Sequence, residues 1–327
     1  MGKKRKHQTA PFRSPDAGFD RAQYPWLNKQ FYDGFSVDLL QTRLAMLCLM
    51  HDSPSQLRDQ LAAGVTWGKI RLALDPNDMT DAMFRQQAEI ELVALRQHAA
   101  EVLFRVFWVH ALQDPCPWLA LGRIRAPGDL KRLVEKYQSG GEWTDEQSYL
   151  AFHSRSAWGS GSVAESGAVR EELVAPARNV AAWVACAAAQ VREAPLYNAY
   201  KHGLAIFSHE PFSMRLGTAD GDGPEVKIEA SSGFKYLDRM SNEAERSHYW
   251  ALVNEPVDFY EAACQTTVYG LILEGVLIAG ALDRRVMGNS PRELLVLNSE
   301  LTPDSVRTES NSPYRLQRFC DSMAYFK

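Results

Sequence analysis

The chain has 327 residues, 46% of them hydrophobic and 23% charged, and a net charge of −4. That composition excludes a wholly disordered chain, and the slight acidity excludes the global basic field that advertises nucleic-acid binding. The cysteines Cys48, Cys116, Cys186, Cys264 and Cys320 are scattered without a Cys-x-x-Cys pair, which excludes a zinc ribbon or disulfide framework and fits a reducing cytoplasm.

The run Lys3-Lys4-Arg5-Lys6-His7 heads residues 1–20, a flexible basic arm that is either a solvated tail or a phosphate-contacting one. No apolar run follows closely enough to make a signal peptide. Phe35 to His51 places Val37, Leu40, Leu44, Leu47 and Met50 at helical spacing. Met79 to Leu112 reads as one long helix, capped near Asn77 or Asp78 and ended by Pro115 and Pro117. Trp118, in the same turn, reads as a plug beneath the bundle. Shorter helices follow at Ala126 to Gln138 and Thr144 to Phe152, the second with Thr144 as cap. Ser154 to Ser162 is a Gly/Ser-rich loop; no strand precedes it and no Gly-Lys-Ser/Thr follows, so it reads as a plain loop rather than a phosphate cradle.

An Ala-rich helix spans Ser166 to Arg192, bent or restarted at Pro176, and a further helical piece runs to about Phe207. The period then changes to two, giving a β-hairpin insertion over about 211–238, to which Phe234 to Leu237 can add a third short strand. Pro256 opens a strongly apolar helix to Arg285. Its segment Val268 to Leu282 is too short to span a bilayer and carries Glu274 in its middle, so it reads as a buried core helix. Gly270, Gly275, Ala279 and Gly280 on it suit close packing on a neighbouring helix or a dimer contact. Residues 291–327 form a polar extension with a short helix near Tyr314 to Met323. The expected fold is mainly α, a helical bundle over 21–290 with one small hairpin inserted, in a cytoplasmic protein that engages no membrane.

Two constellations could carry chemistry. In Tyr197-Asn198-Ala199-Tyr200-Lys201-His202, Asn198, Lys201 and His202 fall at i, i+3 and i+4 and share a helix face. A proton-transfer group beside a cation is what phosphoryl-transfer or RNA-cleaving chemistry needs. On the long helix, Glu91, His98, Glu101 and Arg105 line one face. Glu101 and Arg105 are the only charges between Ala99 and Leu112, and buried charges are costly unless paired. Either they form an internal ion pair, or they join the Asn198 turn in one polar pocket. His98-Ala-Ala-Glu101 reverses the Glu-x-x-His order of carboxylate-bridged bundles and occurs once, so no metal or other cofactor is implied. His51, His153, His209 and His248 read as surface or capping residues.

Arg105-Val-Phe-Trp-Val-His110 resembles the Arg-x4-His motif of HEPN domains, and Asn198-Ala-Tyr-Lys-His202 resembles a second helix of divergent HEPN-like families from bacterial defence or toxin loci. The resemblance covers about 80–285. It implies a metal-independent endoribonuclease, acting on RNA within a homodimer or beside an operon-encoded protein partner. It further implies that His202 or His110 moves the 2′-hydroxyl proton, and that Arg105 or Lys201 stabilises the developing charge. Asn198 would position substrate, and Glu101 would orient Arg105. Five residues on a helix turn about 140°, so Arg105 and His110 do not share a face. The competing reading is a non-catalytic helical interaction module whose polar cluster is structural.

Overall fold

The computed structural model of the protein describes residues 19–67, 69–72, 80–124, 127–140, 143–201, 206–209, 212–216, 226–230, 233–242, 247–287, 294–296, 301–309 and 324–326. The order of elements is α1 (Tyr24–Gly34), α2 (Asp38–Asp52), α3 (Pro54–Ala63), β1 (Val65–Trp67), β2 (Ile70–Leu72), α4 (Asp81–Ala111), α5 (Pro117–Arg123), α6 (Pro127–Gln138), α7 (Glu146–Trp158), α8 (Val174–Arg192), α9 (Pro195–Lys201), β3 (Phe207–His209), β4 (Phe212–Leu216), β5 (Val226–Ala230), β6 (Gly233–Asn242), β7 (Ser247–Pro256), α10 (Phe259–Asp283), β8 (Leu294–Val296), α11 (Pro303–Glu309) and β9 (Ala324–Phe326). The fold is mainly α: a helical bundle in which α4 and α10 pack on each other at the centre, with α2, α7 and α8 around them.

Side-chain caps set the long helices. The Thr80 hydroxyl accepts from the Met83 amide and starts α4, two residues past the expected cap; Asn77 and Asp78 lie outside the described residues. Asp145, not Thr144, caps α7 through the Ser148 amide. Helix α7 continues through the serines to Trp158, because Ala151, Phe152, His153, Ser154, Ser156 and Ala157 are buried there. Gly159 then turns the chain at φ 84°. The Asp283 carboxylate takes the Ser160 amide and hydroxyl at 2.9 to 3.1 Å. A carboxylate on that amide leaves no phosphate cradle. The Ala-rich helix starts at Val174, with Pro176 inside its first turn, where a missing N–H costs nothing.

The main core runs through Leu103, Phe104, Phe107, Trp183, Val184, Tyr269 and Val276, and Leu301 and Val306 from the C-terminal stretch join it. The Trp183 indole donates to the Leu301 carbonyl at 2.8 Å. A smaller cluster of Val93, Leu196, Ala199, Phe234, Tyr236 and Val257 fastens α9 and β6 to α4.

The β structure is larger than the hairpin and short third strand expected. β4 and β5 pair within the expected span, from Phe212 opposite Ala230 to Leu216 opposite Val226. β6 and β7 form a second hairpin from Gly233 opposite Pro256 to Asn242 opposite Ser247, with β3 on its other edge. Pro256 therefore ends a strand rather than opening a helix, and Asp258 caps α10. The connection Glu243-Ala244-Glu245-Arg246 has neither Gly nor Pro, which removed the usual turn signal. The short helix expected near Tyr314 lies outside the described residues.

Helix α10 is long and apolar enough to cross a membrane, yet 67% of its most apolar 18-residue window is buried inside the protein. It is the core helix that its sequence suggested.

Candidate polar site on the central helix

Helix α4 carries the expected stripe on its least covered side. His98 is exposed, and Glu91, Glu101 and Arg105 are half-buried, while Leu92, Leu95, Leu103 and Phe107 point inward. Helix α9 lies along this stripe. Its Leu196 and Ala199 are buried against Val93, and the Tyr200 hydroxyl donates to Glu91 at 2.9 Å. Burial, with Glu101 nearby, raises the Tyr197 phenol above its ordinary value; burial and the Glu91 carboxylate do the same for Tyr200. Asn198 and Lys201 share the opposite, exposed side of α9, as the i, i+3 spacing required. His202 lies outside the described residues.

Arg105 is occupied. One terminal nitrogen donates to Glu101 at 2.6 Å and the other to the Ile124 carbonyl at 2.5 Å. Ile124 is the C-cap of α5, so the guanidinium satisfies a helix-end carbonyl that has no partner within its own helix. The Arg105–Glu101 pair is thus a strut from α4 to the end of α5, the first of the two accounts the sequence allowed.

His110 faces elsewhere, as the 140° turn required, and is 6% exposed. Its Nδ1 lies 2.7 Å from the Val106 carbonyl and its Nε2 lies 2.8 Å from the Tyr32 hydroxyl. A carbonyl only accepts, so the proton sits on Nδ1 and Nε2 accepts from Tyr32. Burial, aided by the nearby Arg284 cation, pushes the imidazole down to about 4 from 6.5. Burial likewise raises the Tyr32 phenol. The ring fits because Gly280 of α10 lies against it: a Cβ there would stand 2.3 Å from the His110 ring and 2.6 Å from the Tyr32 oxygen. Arg284 closes the same corner, donating to the Gly280 carbonyl at 3.1 Å and to the Asp114 carbonyl at 2.5 Å.

The sequence reading missed a second unit of the same design. His153, expected near the surface, is 0% exposed. Its Nδ1 donates to the Tyr149 carbonyl at 2.8 Å, its Nε2 takes the Tyr137 hydroxyl at 2.9 Å, and burial again pushes it down to about 4. Both histidines bond the carbonyl four residues back and a tyrosine hydroxyl from another helix. Trp118, expected as a plug, is 47% exposed on α5.

Among the described residues, a hollow of 120 Å³ lies beside His98 between α2 and α4, and two larger ones lie away from the candidate residues. One of 580 Å³ opens between α8 and α11 beside Cys186 and Gln190, and another of 540 Å³ lies beside Trp143 and Arg155. Neither is lined by Glu101, Arg105, His110, Asn198 or Lys201. Among the described residues no three His, Cys, Asp or Glu side chains gather as a metal site, and Cys48, Cys116, Cys186 and Cys264 are free thiols. Compared with protein-family models, with curated proteins and with solved structures, the chain matches none of them.

Proposed function

We propose that this chain works as a non-catalytic helical interaction module, HEPN-like in outline, in which the Arg105 and His110 of the motif hold helices together. The observation that supports this is the state of His110: neutral, fixed in one tautomer by Val106 and Tyr32, and 6% exposed. A general acid or base needs a working value near the operating pH and hydrogen-bond reach to its substrate; this imidazole has neither. Arg105 is committed to Glu101 and to a backbone carbonyl.

A second reading rests on one specific observation. Asn198 and Lys201 are both exposed on one side of α9, so a metal-independent endoribonuclease centred on Asn198, Lys201 and His202 would have its cation open to an RNA phosphate. One experiment separates the two. Purified protein, Lys201→Ala and His202→Ala are each incubated with total cellular RNA in EDTA. The interaction module leaves the RNA intact in all three. Cleavage by wild type that is lost in His202→Ala overturns it and establishes the ribonuclease.

A further inference from the structure

Helix α2 is apolar on two sides and covered on one. Its inner side, with Leu44, Leu47, Cys48 and Met50, packs against Ala88, Leu92, Phe259, Ala262 and Ala263, and Leu40 meets α10 at Gly270. Its outer side presents Leu39, 68% exposed, Met46, 65%, and Leu49, 54%. None of its fifteen residues is fully buried. Single exposed leucines are ordinary. Here the large apolar residues and Thr42 fall at 39, 42, 46 and 49, the 3-4-3 spacing of a two-helix seam.

The charges beside the seam select its occupant. With Leu39 and Met46 at the a positions and Thr42 and Leu49 at d, Asp38 and Asp52 take g and Arg43 takes e. In a parallel pair, g of one helix faces e of its mate five residues on. Asp38 of each copy then meets Arg43 of the other, twice over by two-fold symmetry. In an antiparallel pair, Asp38 faces Asp52 and Arg43 faces Arg43, so both contacts repel. Asp38 and Arg43 are both exposed. The Asp38 carboxylate accepts from the Ser36 hydroxyl at 3.3 Å, and the Arg43 cation acts on the Tyr200 phenol but has no carboxylate partner among the described residues. The flanking Ala45 at g is small and lets the backbones approach.

We infer that the outer face of α2 binds the same face of a second copy of this chain, in a parallel two-fold pair. Two heptads make a short seam, so the dimer is weak, reversible and dependent on concentration. The inference goes beyond the proposed function and stands whichever reading of α9 holds, because its tests read association and not RNA cleavage.

Sedimentation equilibrium over a concentration series is the test. Wild type is expected to show a monomer–dimer equilibrium, and Met46→Glu to remain monomeric with unchanged thermal unfolding, since the side chain lies in solvent in the monomer. Asp38→Arg and Arg43→Asp are each expected to weaken association about tenfold, and the two together to restore it, because the exchanged charges still face each other. Thr42→Cys is expected to form an intermolecular disulfide that wild type does not, because d faces d only in a parallel pair. A wild type that stays monomeric at every concentration overturns the inference. So does a dimer that survives Met46→Glu, which would be seated elsewhere, or one that Asp38→Arg tightens, which would be antiparallel.

Discussion

Helices α10 and α2 are both apolar around most of their circumference, and they meet opposite fates. In α10, sixteen of the residues from Phe259 to Ala281 are buried, and only the stripe of Tyr260, Glu261, Cys264, Thr267, Leu271, Glu274 and Ile278 reaches towards solvent. In α2 nothing is fully buried. The difference lies in notches rather than in hydrophobicity. Gly270 admits Leu40 and Val37, Gly275 admits the Ala157 carbonyl, and Gly280 admits His110 and Tyr32. Four neighbouring elements, α1, α2, α4 and α7, thereby approach α10 closely at its small residues. Helix α2 has only Ala45 as a small outward residue and lies at the rim, where the chain covers a single side. An apolar helix becomes a core helix when its neighbours can come close; otherwise it keeps a face to offer.

The largest expected effect tests the two buried histidines, of which His110 fills the Gly280 notch of α10. His110 and His153 titrate near 6.5 when unfolded and near 4 when folded. Between those values the unfolded chain binds protons that the folded one refuses, so stability is full above about pH 6.5, falls towards pH 4 and levels off below it. Each histidine contributes about 3 kcal/mol to that fall at full extent. Urea unfolding at a series of pH values is expected to show it, and His110→Gln with His153→Gln to flatten most of it. An unchanged slope in the double variant would mean that other groups drive acid unfolding.

Next comes the notch itself. Gly280→Ala places a methyl 2.3 Å from a ring that two hydrogen bonds hold in place. The expected loss is about 3 kcal/mol. Gly270→Ala meets the end of the Leu40 side chain at 3.4 Å, an ordinary contact, and is expected to lose less than about 1 kcal/mol. Equal losses in the two variants would show that α10 does not discriminate between its neighbours as described.

Much of this was legible in the sequence, and the rest was not for identifiable reasons. The α4 and α10 helices follow from their long apolar stretches, although their starts lie at Thr80 and Asp258 and not at the expected Asn77 or Asp78 and Pro256. The Glu91–Arg105 stripe follows from spacing alone. The 140° between Arg105 and His110 already implied that they serve different interfaces. What they touch was not legible, because Ile124, Tyr32 and Gly280 reach them through tertiary packing with no local mark. His153 was misplaced for the same reason: a buried histidine needs a partner, and Tyr137 lies sixteen residues away on another helix. Strand β7 and its pairing with β6 were not legible, because the connection carries neither Gly nor Pro.

The smallest expected effect sharpens the comparison most. In dilute solution, Leu39→Ser and Met46→Ser should each change monomer stability by less than about 0.5 kcal/mol, as surface substitutions do. Leu44→Ala and Leu47→Ala, one or two positions away on the inner side of the same helix, should lose about 1 to 2 kcal/mol, less than a fully buried leucine because both are only half-buried. Chemical unfolding at low concentration, where a weak pair has dissociated, is the measurement. Matching losses on the two sides would mean that another part of this chain already covers the outer face of α2. The seam would then be an internal contact, and no surface would remain there for a second copy to occupy.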